Sequence, residues 1–140
     1  MIILDTNVVS EVLKPMPDAK VMAWLDALPE ENLFLTAVSI AELRSGVEIM
    51  PDGRRKENLR GRMSAMLVAT FEGRILPFDA AAAEAYARIA SETRRNGRTI
   101  SVFDCQIAAI ARSRAFDVAT RDAAPFREAG IAVINPWTDE

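Results

Sequence analysis

The apolar positions of this 140-residue chain fall into two alternating kinds of segment. Short, wholly apolar runs occur at residues 2–4, 33–35, 75–76, 118–119 and 131–134, each followed within a few positions by a polar or turn-forming residue. Continuous rather than alternating runs predict strands buried on both faces. Between them the spacing is helical. Val21, Met22, Trp24, Leu25 and Leu28 form one broad face of a helix that opens near Asp18 and stops at Pro29, and Val38, Ala41, Leu43 and Val47 form another from about Thr36. Asp79 reads as the N-cap of an alanine-rich helix over 80–95, closed by Asn96-Gly97, and Ser101 as the cap of a helix reaching about Arg114. Strands alternating with helices predict an α/β fold: one domain, residues 1–140, on a doubly wound sheet of about five parallel strands flanked by helices.

Composition narrows the chemistry. The chain has no histidine and a single cysteine, Cys105. Ser-His-Asp and Cys-His catalysis, histidine-ligated zinc and multi-cysteine metal sites are therefore excluded, and any catalysis falls to carboxylates. The six glycines are too dispersed for a Walker phosphate loop or a GxGxxG turn. No apolar run approaches the roughly 20 residues of a membrane span, and the amino terminus lacks a signal-peptide layout, so a cytoplasmic protein without membrane contact is expected. The formal net charge of −3, from 20 acids and 17 bases, argues against broad nonspecific binding of polyanions. Two local basic excesses, at 51–62 and 88–98, contain Arg54, Arg55, Lys56, Arg94, Arg95 and Arg98.

Placed on the predicted sheet, four acids fall at one edge. Asp5 follows the first strand, Glu42 lies in the helix launched after the second, and Asp122 stands just past the fourth. Asp104 occupies the first turn of the helix preceding the fourth strand. Helices antiparallel to the strands start at the edge where ligands bind in open α/β sheets. Glu42 is more than a turn into its helix, but helical side chains lean back toward the amino terminus. Each acid also has a local explanation. Asp5 can cap the helix starting at Thr6, Ser101-Val-Phe-Asp104 has the form of a capping box, and Asp122 suits a turn. Glu42, mid-helix among apolar neighbours, has none. Crowded carboxylates repel unless a cation neutralises them, and hard oxygen donors favour Mg²⁺ or Mn²⁺.

The ordered blocks Ile3-Leu-Asp-Thr-Asn-Val-Val-Ser10, Ser39-Ile-Ala-Glu-Leu-Arg-Ser-Gly46, Asp104-Cys-Gln-Ile-Ala-Ala-Ile-Ala111, Ala119-Thr-Arg-Asp122 and Asn135-Pro-Trp137 resemble PIN-domain ribonuclease toxins of the VapC family, FitB-like subgroup. The resemblance spans essentially the whole chain. It implies a Mg²⁺- or Mn²⁺-dependent endoribonuclease, the toxin of a type II toxin–antitoxin pair. Asp5, Glu42, Asp104 and Asp122 match the family's acidic quartet: Asp5 and Asp104 as direct metal ligands, Glu42 orienting metal or water, and Asp122 completing the site of a second ion or its shell. Thr6, Asn7 and Thr120 match supporting positions of the same pocket. Where many members carry asparagine followed three residues later by aspartate, this chain has Asp122 and Pro125. The resemblance further implies a homodimer. It also implies a cognate antitoxin with a DNA-binding domain, through which the pair reaches operator DNA. A bound cation would lower the pKa of water and so replace the missing histidine.

Two other readings fit less of the chain. A PIN-like protein without nuclease activity, serving as an antitoxin-binding or DNA-autoregulatory partner, does not require the intact quartet. A receiver-type phospho-acceptor module needs a lysine beyond the fifth strand, and none occurs after Lys56. Trp137 is expected to anchor the last strand, and the basic excesses to be solvated helix faces before they are binding surfaces, with Arg54, Arg55, Lys56, Arg94, Arg95 and Arg98 the candidates to meet substrate phosphates.

Overall fold

The computed structural model describes residues 1–138; the last two residues of the expected domain 1–140 lie outside the described residues. Five strands form one sheet: β1 (Ile2–Leu4), β2 (Leu33–Thr36), β3 (Ile75–Leu76), β4 (Asp117–Ala119) and β5 (Val133–Ile134). Their order is β3-β2-β1-β4-β5, and every pairing is parallel. Among the described residues seven α-helices flank the sheet: α1 (Thr6–Val12), α2 (Ala19–Asp26), α3 (Ala37–Glu48), α4 (Arg54–Phe71), α5 (Ala80–Arg95), α6 (Val102–Arg114) and α7 (Ala124–Glu128). The expected doubly wound α/β architecture is therefore the one observed.

The continuous apolar strands are explained by a core on each side. Ile3 and Val118 pack into a layer with Ile89 of α5, Ile107 and Ile110 of α6 and Phe126 of α7. Their neighbours Leu4 and Ala119 point the other way, into a layer with Val8 and Val9 of α1, Leu43 and Val47 of α3, and Met63, Leu67 and Phe71 of α4. Alternate residues thus enter opposite cores, as both-face burial requires.

Helix starts follow the sequence, which names Asp79 and Ser101 as caps and places two further starts near Asp18 and Thr36. Asp18, Thr36, Asp79 and Ser101 each accept a backbone N–H of the first turn through a side-chain oxygen. Helix α6 ends in a Schellman arrangement, in which Phe116 N–H donates to Ala111 O and Ala115 N–H to Arg112 O. This places Ala115 at φ +57°, in the left-handed region that L-residues other than glycine rarely enter.

Helix α7 lies outside the elements predicted above, and of α4 only the solvated helix face in the basic stretch 51–62 is predicted. Helix α4 begins inside the basic stretch 51–62, where charged residues and Gly61 dilute its apolar stripe; Met63, Leu67 and Phe71 nonetheless bury one face. Helix α7 is a single short turn-and-a-half that buries Phe126. The last strand is shorter than the run 131–134, because Ile131 enters the core before pairing begins at Val133.

Candidate active site

In the strand order β3-β2-β1-β4-β5 the chain crosses from one side of β1 to the other between β3 and β4. The switch point is the gap between the carboxyl ends of β1 and β4, the place where open α/β sheets bind ligands. Asp5 leaves β1 there, and Thr120-Arg121-Asp122 leaves β4.

A hydrogen-bonded lattice ties these two segments together. Asp5 is 5% exposed. Its Oδ1 accepts the Thr6 backbone N–H at 2.8 Å, the cap of α1, and its Oδ2 accepts the Thr120 hydroxyl at 2.8 Å. The Thr120 oxygen in turn accepts Asn7 Nδ2 and the Asp122 N–H, each at 3.1 Å. Asn7 Oδ1 accepts the Arg121 N–H at 3.3 Å. One wholly buried hydroxyl therefore uses its proton and both lone pairs to set the loop after β4 against the loop after β1.

The other acids arrive from the helices. The Thr6 hydroxyl donates to Glu42 Oε1 at 2.8 Å and lies 3.1 Å from Ser39 Oγ, itself buried beside the Thr36 cap. The backward lean of a helical side chain thus brings Glu42 to the sheet edge. Asp104 sits half-buried in the first turn of α6, where the Ser101 hydroxyl accepts its N–H at 3.1 Å. Only that half of the capping box forms: among the described residues the Asp104 carboxylate has no hydrogen-bond or ion-pair partner, and neither has that of exposed Asp122.

All seven residues predicted for the site converge, with Asp5, Thr6, Asn7, Glu42, Asp104 and Asp122 lining a cleft of about 420 Å³ and Thr120 buried directly behind Asp5. Burial pushes the Asp5 carboxyl up from 3.8 to about 6, against the lowering effect of its Thr120 and Thr6 hydrogen bonds; the charges of Asp104 and Glu42 raise it further.

This donor set suits a hard divalent cation. Among the described residues no three acidic or cysteine side chains stand close enough together to hold a metal ion by themselves. Mg²⁺ needs none, since it keeps several waters and binds through one or two carboxylates together with substrate phosphates. A buried carboxylate resisting ionisation beside two partnerless ones is the arrangement that a cation would relieve.

Several cleft residues are not among those assigned to the site from the sequence. Glu11 is buried, and its carboxylate accepts Lys14 Nζ and the Asp18 N–H, both at 3.1 Å. The Lys14 hydrogen bond holds it below the usual glutamate range. Arg121 also lines the cleft, its guanidinium 4.4 Å from the centroid of the Trp137 ring. Such a stack contributes about 0.5–1 kcal/mol at an exposed site. Trp137 packs on the α1–α4 core layer and also forms the cleft wall.

The basic residues separate. Arg54 and Arg55, with Lys14 and Arg62, rim a second groove of about 750 Å³ floored by Leu43 and Met63, which joins the acid cleft at Thr6, Ser10 and Glu42. Lys56 is no phosphate ligand: its buried amine donates to Glu48 O and Asp52 Oδ1. Arg94, Arg95 and Arg98 line neither opening; Arg95 bonds Ser91 and Arg98 pairs with Glu128.

Fold and cleft together define a doubly wound α/β domain with an acidic pocket at its switch point. Comparison with known proteins gives that class a family. The PIN domain matches residues 2–132. Toxin FitB of Neisseria gonorrhoeae is 46% identical over 139 residues, 99% of this chain and 100% of its own length. VapC ribonuclease Y4jK of Sinorhizobium fredii is 44% identical, with 98% of each chain covered. The structure of FitAB bound to an IR36 DNA fragment superposes with a TM-score of 0.94 at 46% identity, covering 100% of this chain and 98% of that one. The chain belongs to the PIN domain family.

Proposed function

We propose that this chain is a divalent-cation-dependent endoribonuclease acting as the toxin of a type II toxin–antitoxin pair. The observation that carries the reading is the convergence of Asp5, Glu42, Asp104 and Asp122 on one cleft at the β1/β4 switch point. Whole-chain similarity to proteins named Toxin FitB and VapC ribonuclease supports it.

In this reading Asp5 and Asp104 hold Mg²⁺ or Mn²⁺. When bound, the cation supplies an acidified water at neutral pH and neutralises charge on the phosphodiester. Asp5 is locked by the Thr6 amide and the Thr120 hydroxyl, so its oxygens need no reorganisation. Glu42, steadied by Thr6, orients the attacking water and takes up its proton. Asp122 supports a second ion or its hydration.

The partner in this reading is an antitoxin that carries the DNA-binding domain. The groove beside the cleft, with an apolar floor and a basic rim, suits an amphipathic, acid-bearing segment of such a partner. The toxin acts in the cytoplasm as a homodimer, and the pair reaches operator DNA through the antitoxin. The test is expression in a bacterial host. Wild-type protein arrests growth and degrades RNA, and co-expression of the protein encoded immediately upstream relieves both. Growth unaffected by well-expressed, folded protein would overturn the toxin assignment and favour the non-nuclease binding partner.

A further inference from the structure

Resting on the ribonuclease reading, we propose that Arg121 binds a backbone phosphate of the RNA strand as it enters the acid cleft, and that Trp137 is the positioning residue that keeps its guanidinium available. The cleft is lined by five carboxylates, those of Asp5, Glu11, Glu42, Asp104 and Asp122, against two cations, Lys14 and Arg121. A polyanionic strand meets net negative charge there. The cation of the catalytic pocket answers the scissile phosphate, but the phosphates flanking it need counter-charges supplied by the protein.

Lys14 is engaged: its amine sits 3.1 Å from Glu11 Oε1. Arg121 is not. Among the described residues it pairs with no carboxylate, although Asp122 is its neighbour in sequence and the acid cluster shares its cleft. Two features hold it apart. Its backbone N–H donates to Asn7 Oδ1 while the next N–H donates to Thr120, which fixes the direction in which the side chain leaves the loop. Its guanidinium then rests on the Trp137 ring. The residue is fixed in turn: its ring packs against the core, and its backbone N–H donates to Asn135 Oδ1 at 3.0 Å, closing the Asn-Pro-Trp turn.

A guanidinium lying on an aromatic ring keeps its N–H edge free, and that edge matches two oxygens of a phosphate. Released from the ring, the same side chain would be drawn onto the carboxylates, quenching the site that holds the cation. Trp137 thus does for Arg121 what an acid partner would do elsewhere, without cancelling its charge. The sequence block Thr120-Arg121-Asp122 accordingly divides its work: the hydroxyl positions Asp5, the guanidinium meets the strand, and the carboxylate faces the ion.

The experiment pairs binding with turnover. Binding of a fluorescein-labelled mixed-sequence 20-nucleotide RNA is followed by anisotropy in Ca²⁺ from 50 to 200 mM KCl, and KM and kcat are measured on the same RNA in Mg²⁺. Arg121→Ala is expected to weaken binding about tenfold, chiefly as a rise in KM, and to reduce the slope of log K against log salt by about 0.7, the value of one phosphate contact on a single strand. Arg121→Lys keeps the slope and recovers part of the affinity. Trp137→Phe keeps the aromatic platform and wild-type binding, and Trp137→Leu weakens binding in the wild-type background but adds nothing to Arg121→Ala. Binding by Arg121→Ala within twofold of wild type, with an unchanged slope, overturns the proposal while leaving the nuclease reading intact if the protein still cleaves. Arg121-dependent binding by a wild-type protein that cleaves nothing overturns the nuclease reading and supports the phosphate contact. Wild-type protein that binds no RNA overturns both.

Discussion

The buried carboxylate of Asp5 makes the stability of the cation-free protein depend on pH in a direction opposite to most acids. Its pKa lies at about 6 in the fold against 3.8 ordinarily. Between those values the native state holds a proton that the unfolded chain has released, so unfolding releases protons and stability falls as pH rises. The contribution is fully present below about pH 3.8 and is lost as pH passes 6. Two pKa units at 1.36 kcal/mol each make it about 3 kcal/mol. Asp5→Asn removes this titration but introduces a fixed defect. Asp5 accepts two hydrogen bonds, from the Thr6 N–H and the Thr120 hydroxyl. An amide turns a donor toward one of them, a mismatch costing roughly 1–3 kcal/mol at every pH.

Urea unfolding of both proteins in EDTA, from pH 4 to 7.5, separates the two effects, because the remaining acids titrate similarly in each. Wild type should be the more stable at pH 4, and its advantage should shrink by about 2 kcal/mol by pH 7, part of the contribution being already lost at pH 4. Magnesium should then restore wild type selectively: 10 mM cation bound with a dissociation constant of about 1 mM returns about 1.4 kcal/mol. Parallel pH profiles for the two proteins would refute the reasoning, since Asp5 would then ionise in the fold as freely as in water.

Thr120→Val deletes the hydroxyl that serves Asp5, Asn7 and Asp122, leaves a buried carboxylate short of a donor, and should cost about 2–4 kcal/mol in urea unfolding. Thr120→Ser should restore most of that stability together with RNA cleavage. Ala115→Gly relieves a left-handed alanine at the end of α6, far along the helix from Asp104, and should raise stability by up to about 1 kcal/mol with no change in cleavage rate. A lower unfolding midpoint for Ala115→Gly would show the Schellman turn to be unstrained.

How much of this was legible in the sequence depended on the range of the interaction. The strands could be read because Ile3 and Leu4, or Val118 and Ala119, enter opposite cores and leave an unbroken apolar run. The caps at Asp18, Thr36, Asp79 and Ser101 act over two or three residues and announce themselves locally. Helix α4 was hidden because its arginines and Gly61 interrupt a stripe that only Met63, Leu67 and Phe71 complete. The four acids could be placed at one edge by strand and helix direction alone. What holds them there could not: Thr120 meets Asp5 across 115 residues and Asn7 across 113, and no pattern within either segment encodes the pairing. The stack of Arg121 on Trp137 was hidden for the same reason, and the basic excess at 51–62 misled over Lys56, whose charge is spent on capping its own helix junction.

The central claim is that a cation held by the acid cleft drives RNA hydrolysis, and Asp104 is the residue on which to test it. Its carboxylate has no partner among the described residues, so Asp104→Asn removes a charge without breaking a hydrogen bond of the fold. The measurement is cleavage of RNA by purified protein in Mg²⁺, with and without EDTA, for wild type and Asp104→Asn. Wild-type cleavage abolished by EDTA, and a loss of at least about 100-fold in a variant whose thermal unfolding is unchanged, is the predicted result. Full activity of Asp104→Asn, or cleavage that persists in EDTA, would contradict it.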